Sequence, residues 1–529
     1  MRVLLINPHY PITEIPSPPL GLAFLAAVLE RAGVEVEVLD FVVFPYSLEM
    51  LQSELEAFLP DIVGLTSVTM NFHEAARVLK DVKRIKSDIF TIMGGPHVTF
   101  CPQETMMSVP ELDCVVLGEG EEAIVELIRA IERGCDLRSI KGIVCRANSR
   151  IHRTEARKGF VDLDALPLPA RHLLPLGRYR ALGLPVSMTT SRACPFKCIF
   201  CAGQKMFGHK VRTRNIDAVA NEFEMLSKLN FDVISIADDL FTAKKKHCMA
   251  VCDEIISRKI EQNWTSFARV DTVSRELLDK MKEAGCRDIC FGVETGNAEI
   301  LKTINKGTTI DQVVTAVAMC KEAGINPIAS FILGLPGETP ETLQETLDFA
   351  LKLKGLGAGY GFHLLAPFPG TKVREESDKY GIKILTNDWT QYHANRAIVE
   401  TPSANRKMLD EIVVQWETTL TKWREVVRAK MKRGEAAEED VKQLQWIEHK
   451  EEIYNLMMSR AIEEKGTWPA ETGPVSESGS LRTLVNRVNG LTDKSRERLY
   501  EALNSAREQK NLRCSQDQGR INWAWVDYL

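Results

Sequence analysis

Cys194, Cys198 and Cys201 stand at C-x3-C-x2-C in Cys194-Pro-Phe-Lys-Cys-Ile-Phe-Cys201, just after the apolar run Val186-Ser-Met-Thr-Thr190. That spacing puts three thiolates on one tight loop at the end of a strand. Thiolates are the usual ligands of iron–sulfur clusters, which normally take four. Three ligands leave one iron of a [4Fe–4S] cube open to a small molecule. A structural zinc site generally takes four ligands, commonly from two C-x2-C-like pairs. No second such pair stands nearby: Cys248 and Cys252 share a helical spacing, and Cys286 and Cys290 flank a strand start. Zinc or a simple electron-transfer cluster is the alternative reading.

The cysteine spacing, with Phe200 before the last cysteine, resembles the signature of the radical S-adenosylmethionine (SAM) enzymes. The resemblance implies that the amino and carboxylate groups of SAM chelate the open iron and that Phe200 lies against the adenine. A loop of this kind needs a sheet beneath it. From Val186 to about residue 400, strand and helix patterns alternate at the spacing of a β/α barrel. Strands are expected at Val186–Thr190, Val233–Ala237, Trp264–Ala268, Asp288–Val293, Pro327–Leu333 and Tyr360–Leu365. Six repeats match a partial (β/α)6 barrel, and active residues in barrels come from the C-terminal strand ends. Those ends read Ala237-Asp238-Asp239, Arg269-Val270-Asp271, Glu294-Thr295-Gly296 and Gly334-Leu335-Pro336-Gly337-Glu338-Thr339. Carboxylates there can accept from an ammonium, and an arginine can hold a carboxylate bidentately. Asp238, Arg269 and Glu294 are therefore candidate SAM contacts. For Asp238 and Asp239, helix capping or pairing with lysines is the competing role.

Residues 1–140 alternate β-branched runs with helical patterns, the mark of a parallel sheet with crossover helices. Strands are expected at Val3–Asn7, Val34–Leu39, Ile62–Thr66, Phe90–Met93 and Cys114–Leu117 in a flavodoxin-like, Rossmann-type fold, which binds ligands beyond the carboxyl ends of its strands. The ends carry Asn7, Ser67, Gly94-Gly95-Pro96-His97 and Gly118-Glu119-Gly120-Glu121. Glycine lets a ligand approach the backbone closely. Together with Pro18-Pro-Leu-Gly-Leu22, these ends resemble the cobalamin-binding domain that precedes the barrel in many radical SAM enzymes. The resemblance implies cobalamin contacts at Asn7, Ser67, Gly94, Gly95, Gly118, Glu119 and Gly120. No D-x-H-x-x-G segment occurs, so it also implies cobalt without that lower histidine, and His97 is read as shaping a turn.

Residues 141–185 read as a hairpin and a proline-bearing linker, and 401–529 as a mostly helical region of unknown role. The tail Asn522-Trp-Ala-Trp-Val-Asp-Tyr528 is too aromatic for a free end. With 44% hydrophobic and 26% charged residues and a net charge of −5, no nucleic-acid footprint is evident. Thirteen scattered cysteines argue for a reducing cytoplasm over disulfides. No apolar run approaches the ~20 residues of a membrane span.

The two resemblances together imply an enzyme whose cofactors are a [4Fe–4S] cluster, SAM and cobalamin. In such enzymes an electron from the cluster cleaves SAM, the resulting radical activates a substrate carbon, and methylcobalamin delivers a methyl group. The expected partners are a small-molecule substrate and a reductant such as flavodoxin or ferredoxin. Oxidative cyclisation, as in the anaerobic magnesium-protoporphyrin ester cyclases, is the rival activity. A non-catalytic cobalamin sensor or electron carrier is the rival class. No motif identifies a catalytic acid or base.

Overall fold

The computed structural model describes residues 1–148, 150–470, 477–491 and 495–529. Two parallel sheets present their carboxyl ends to one another. The first contains β1 (Arg2–Asn7), β2 (Glu35–Asp40), β3 (Ile62–Thr66), β4 (Phe90–Gly94) and β5 (Cys114–Val116) in the order 2-1-3-4-5. These strands are apolar on both faces because helices cover both sides, as parallel sheets require. The hairpin β6 (Ile143–Ala147) and β7 (Arg150–Arg153) pairs antiparallel onto β5, so it extends this sheet. The turn residue Ser149 lies outside the described residues.

The second sheet holds β8 (Val186–Met188), β11 (Ile234–Ile236), β12 (Trp264–Ala268), β13 (Cys286–Glu294), β14 (Asn326–Leu333) and β15 (Gly359–Leu364), all parallel, in the order 15-14-13-12-11-8. A two-stranded ribbon, β9 (Ser191–Arg192) with β10 (Arg212–Thr213), brackets the cysteine loop. The outer helices start on local signals. Thr309 and Gln312 form a reciprocal capping box, and Thr339 caps the helix that opens with Pro340.

The strap joining the sheets is a buried joint rather than a loose linker. Tyr179, on the short helix Leu176–Ala181, donates to Asp40 at 2.7 Å, and Asn7 donates to the other Asp40 oxygen at 2.8 Å. Arg178 reaches Glu463, Asp527 and the carbonyl of Val43 while stacking on Phe44. Arg171 and Arg214 close on the fully buried Glu222. A buried carboxylate of this kind persists only because opposite charges lie beside it.

The C-terminal region is helical with one addition that composition concealed. Strands Thr467–Pro469, Leu512–Asp517 and Arg520–Trp525 form an antiparallel sheet that buries Trp523 and Trp525, so the aromatic tail docks. The Gly-, Pro-, Ser- and Thr-rich stretch 467–479, loop-like in composition, starts in this sheet, and residues 471–476 lie outside the described residues. Trp416, on the helix Arg406–Arg433, packs against Tyr360 and Phe362 on the outer side of β15. Among the described residues no helix is long and apolar enough to cross a membrane.

The turn after β14 depends on Glu338. One carboxyl oxygen accepts from the backbone N–H of Gly334 (2.5 Å) and Leu335 (3.0 Å), and the other is buried without a partner. Burial outweighs those two donors and pushes the carboxyl up to about 8 from 4.5. The folded chain therefore holds a proton that the unfolded chain releases near pH 4.5. Stability should fall by up to ~1.4 kcal/mol per pH unit as pH rises from about 4.5 to about 8. In Glu338→Gln this component is absent. Urea midpoints of wild type and variant should diverge in the variant's favour across that window and run parallel above it. Curves parallel throughout would contradict the assignment.

Candidate active site

The cysteine loop is held at its root, middle and exit. At the root, Ala193 adopts φ +88°, a left-handed conformation that costs a non-glycine residue of order 1–3 kcal/mol. Its N–H donates to Asp239 at 2.7 Å. In the middle, Ile199 N–H donates to the Ile304 carbonyl, Val373 N–H donates to the Ile199 carbonyl, and the Asn305 amide donates to the Lys197 carbonyl at 3.0 Å. At the exit, Gly203 N–H approaches Cys201 Sγ at 3.4 Å. Burial pushes the thiols of Cys194, Cys198 and Cys201 up, while Lys306 and Arg269 pull Cys198 back down. Without metal these groups are thiols, and metal ions displace their protons on binding. Among the described residues no three of His, Cys, Asp and Glu converge as ligands of one ion. A cube takes each thiolate on a different iron, so three spaced thiols suit a cluster rather than a single zinc.

Arg269 lies beside the loop, its Nη1 3.8 Å from Cys198 Sγ and its guanidinium 3.6 Å from the centroid of Phe196. Its remaining donors are engaged by Asp271 (2.9 Å) and the Lys306 carbonyl (2.6 Å). It therefore backs the cluster loop, with Nε and Nη2 already engaged. Glu294 ends β13 at a bulge, where the register to β14 shifts between Gly292 and Glu294, and it takes φ +70°. Bulges re-aim side chains. Here the bulge turns the carboxylate onto Lys306. A Cβ at Gly292 would lie 2.4 Å from Glu294 Oε1 and 2.9 Å from Lys306 Nζ, so glycine is what admits the pair. Lys306 also sits 5.8 Å above the Phe200 ring. Asp238 is buried and accepts from Thr190 N–H, Thr190 Oγ1 and Ser191 Oγ at 2.6–2.7 Å, which leaves it no free face for a cofactor.

Between the sheets lies a cavity of about 590 Å3, lined from the first sheet by Pro18, Pro19, Thr66, Gly94, Gly95, Gly118, Glu119 and Gly120, and from the second by Ser187, Thr189 and Ala237. Added side chains at Gly21 and Gly118 would meet no atom within 4 Å, so both open onto free space, a cradle that a Cβ would fill. Gly95 has another duty: at φ +102° its Cβ would lie 2.6 Å from the Ser67 carbonyl oxygen, so it lets the β4 turn close on β3. Two expected contacts fall outside the cavity. Asn7 is engaged by Asp40, and Ser67 is buried with its hydroxyl on the Val68 carbonyl. Thr66 lines the wall instead. Among the described lining residues there is no histidine. His97 is packed away between Phe72 and Trp389, where burial lowers it to about 4 and keeps it neutral.

Glu119 does more than line the wall. Its carboxylate binds Arg192 at 3.0 Å and Arg212 at 2.8 Å and accepts from Val161 N–H at 2.9 Å, with its side chain 4% exposed. Arg192 also meets Glu121 at 2.7 Å. The two arginines sit on β9 and β10, so the glycine-rich turn of the first sheet grips the ribbon that carries the cysteine loop. Lys306, Arg192 and Arg212 were not recognisable in the sequence, since nothing local distinguishes them from surface cations.

The Radical SAM superfamily model matches residues 188–350, and the B12 binding domain model matches residues 14–128. An uncharacterized methyltransferase of Pyrococcus horikoshii is 34% identical over 400 residues, 74% of this chain and 86% of that one. The anaerobic magnesium-protoporphyrin IX monomethyl ester cyclase of Rubrivivax gelatinosus is 31% identical over 432 residues, 78% of this chain and 76% of that one. The cobalamin-dependent SAM radical enzyme OxsB, solved with aqua-cobalamin and SAM bound, superposes with a TM-score of 0.70 at 19% identity, covering 96% of this chain and 83% of that one.

Removing one partner from a buried ion network strands the others. Glu119→Gln should cost about 3 kcal/mol in urea unfolding and lower the iron bound on anaerobic reconstitution. Glu122→Gln, in the helix that follows and paired with Arg157 at the surface, should change stability by under ~0.5 kcal/mol. Equal effects would show that Glu119 has no special hold on the loop.

Proposed function

This chain belongs to the radical SAM enzymes that carry a B12-binding domain, and from that premise we propose that it methylates an unactivated carbon of a small-molecule substrate. Its cofactors are a [4Fe–4S] cluster, SAM and cobalamin. When bound, these groups supply one-electron cleavage of SAM and delivery of a methyl group.

The chain's own residues bind, orient and shield. Cys194, Cys198 and Cys201 would hold the cluster, with Arg269 and the Gly203 N–H offering positive charge and a donor to the sulfurs. Phe200 offers a flat face for adenine. Glu294, its charge balanced by Lys306, is an acceptor for an ammonium or for ribose hydroxyls. Gly94 and Gly118 leave room for a corrinoid edge at the opposite rim, which Gly120 also lines. The observation that carries this reading is one cavity walled both by the glycine turns of the first sheet and by the inward residues of β8 and β11. Such a site keeps water from reactive species. The electron is expected from an external flavodoxin or ferredoxin, and the free cysteines suit a reducing cytoplasm. The likeness to a relative named as a cyclase supports oxidative ring closure as a second reading.

After anaerobic reconstitution with iron, sulfide, SAM and cobalamin, dithionite should release 5′-deoxyadenosine from wild type and at least ~100-fold less from Cys198→Ala, since a cube missing one thiolate loses its seat. Glu294→Gln should raise the SAM KM more than it lowers kcat. SAM with a labelled methyl group should pass label to cobalamin; nucleoside release with no labelled methylcobalamin would favour ring closure. Zinc in place of iron at the loop would overturn the reading.

A further inference from the structure

The register of the second sheet sorts its residues into an outward set and an inward set. Outward lie Trp264, Ile289, Phe291, Ala329 and Phe331, all buried under helices. Inward, one row crosses the whole sheet: Phe267 opposite Cys290, Cys290 opposite Ile328, and Ile328 opposite Gly359. Thr189 and Ala237 extend the row toward β8, one residue beyond the Met188–Ile236 pair. Both of them line the cavity between the sheets, so row and cavity are continuous.

This row is apolar and uncovered. Phe267 is 52% exposed and Ile328 39% exposed in mid-strand, positions that a closed eight-stranded barrel would fill with its own side chains. None of its residues carries a charge. The next inward row toward the cysteine loop is Gly292, Ser330 and Gly361, and a Cβ at Gly361 would meet nothing within 4 Å. Charges begin at the Gly292 end of this second row, over which the Glu294–Lys306 pair packs, and they are paired: Glu294 with Lys306 and Arg269 with Asp271 at the loop end, Asp288 with Arg287 and Asn326 at the far end. Strands ~4.8 Å apart make the row roughly 24 Å wide. The helix Arg406–Arg433 does not cover it, because Trp416 packs on the outer side of β15.

We propose that the reacting part of the substrate is an uncharged hydrocarbon or aromatic segment that lies along the Phe267–Ile328–Gly359 row, with any polar end directed to the Asp288–Asn326 rim. This rests on the methyltransferase reading above. Exposed apolar surface in a concavity favours such an occupant at roughly 25 cal/mol per Å2 covered, and a charged one would lose hydration without a partner. A hydrogen atom removed from such a segment comes from an unactivated carbon, the kind of position for which this cofactor set is suited.

The test uses reconstituted holoenzyme with cluster, cobalamin and SAM, so that the cofactor sites are filled, and the neutral apolar dye Nile red as probe. Wild type should bind the dye saturably, with blue-shifted emission. Ile328→Asp, which puts a charge on the row, and Gly361→Trp, which fills its open side, should each weaken binding at least tenfold. Neither residue is assigned to a cofactor, so 5′-deoxyadenosine release on reduction should stay within about twofold of wild type and report that the variants fold. Wild type that fails to bind the dye, or variants that bind it as wild type does while still releasing nucleoside, overturns the apolar chamber alone. Wild type that releases no nucleoside overturns the methyltransferase reading itself, and the chamber with it.

Discussion

A single carboxylate, Glu119, ties the two halves of the molecule at the point where their chemistry meets. It leaves the turn after β5, enters a setting almost closed to water, and binds two guanidinium groups that flank the cysteine loop. Isolated charges are not tolerated in such a place, whereas a carboxylate with arginines on both sides and a backbone N–H on its free edge is. Because breaking one contact strands the rest, the network resists partial opening, and the rim of the first sheet and the loop on the second behave as one body. The Tyr179–Asp40 and Arg171–Glu222 contacts of the strap support the same alignment from behind.

Strain is concentrated beside the loop and held by neighbours. Ala193 and Glu294 both take left-handed backbone conformations that suit glycine better, one at the root of the cysteine loop and one at the bulge facing it. Asp239 restrains the first through a backbone hydrogen bond, and Lys306 restrains the second through its charge. Each conformation directs a group that a relaxed backbone would turn elsewhere. The six-stranded sheet adds the complementary feature. With too few strands to close, it leaves an inward face that its own side chains do not fill, and polarity is sorted along that face from paired ions to bare hydrocarbon.

What the sequence disclosed, and what it hid, follows from range. The strands of both sheets, the Rossmann-type class of the first and the cysteine loop were legible because β-branched runs, helix caps and C-x3-C-x2-C are local patterns. The partners of polar strand-end residues were not. Asn7 and Asp238 look available at strand ends, yet Asn7 meets Asp40 across 33 residues and Asp238 meets Thr190 across 48. Glu119 was expected at the cavity wall and lies there, but its hold on Arg192 and Arg212 spans 73 and 93 residues, and only the folded chain reveals it. The C-terminal sheet was hidden for another reason: Leu512-Arg-Cys-Ser-Gln-Asp517 is nearly as polar as a loop, and it is a strand because the aromatic Arg520–Trp525 segment pairs with it.

The account rests on the first sheet's rim being fixed against the ribbon that carries the cysteine loop. Electron paramagnetic resonance tests this most directly, on protein carrying both a reduced [4Fe–4S] cluster and cob(II)alamin. The two paramagnets should broaden and split one another's signals in wild type, and Glu119→Ala should weaken that coupling. Two independent, unperturbed spectra from fully loaded wild-type protein would contradict the account.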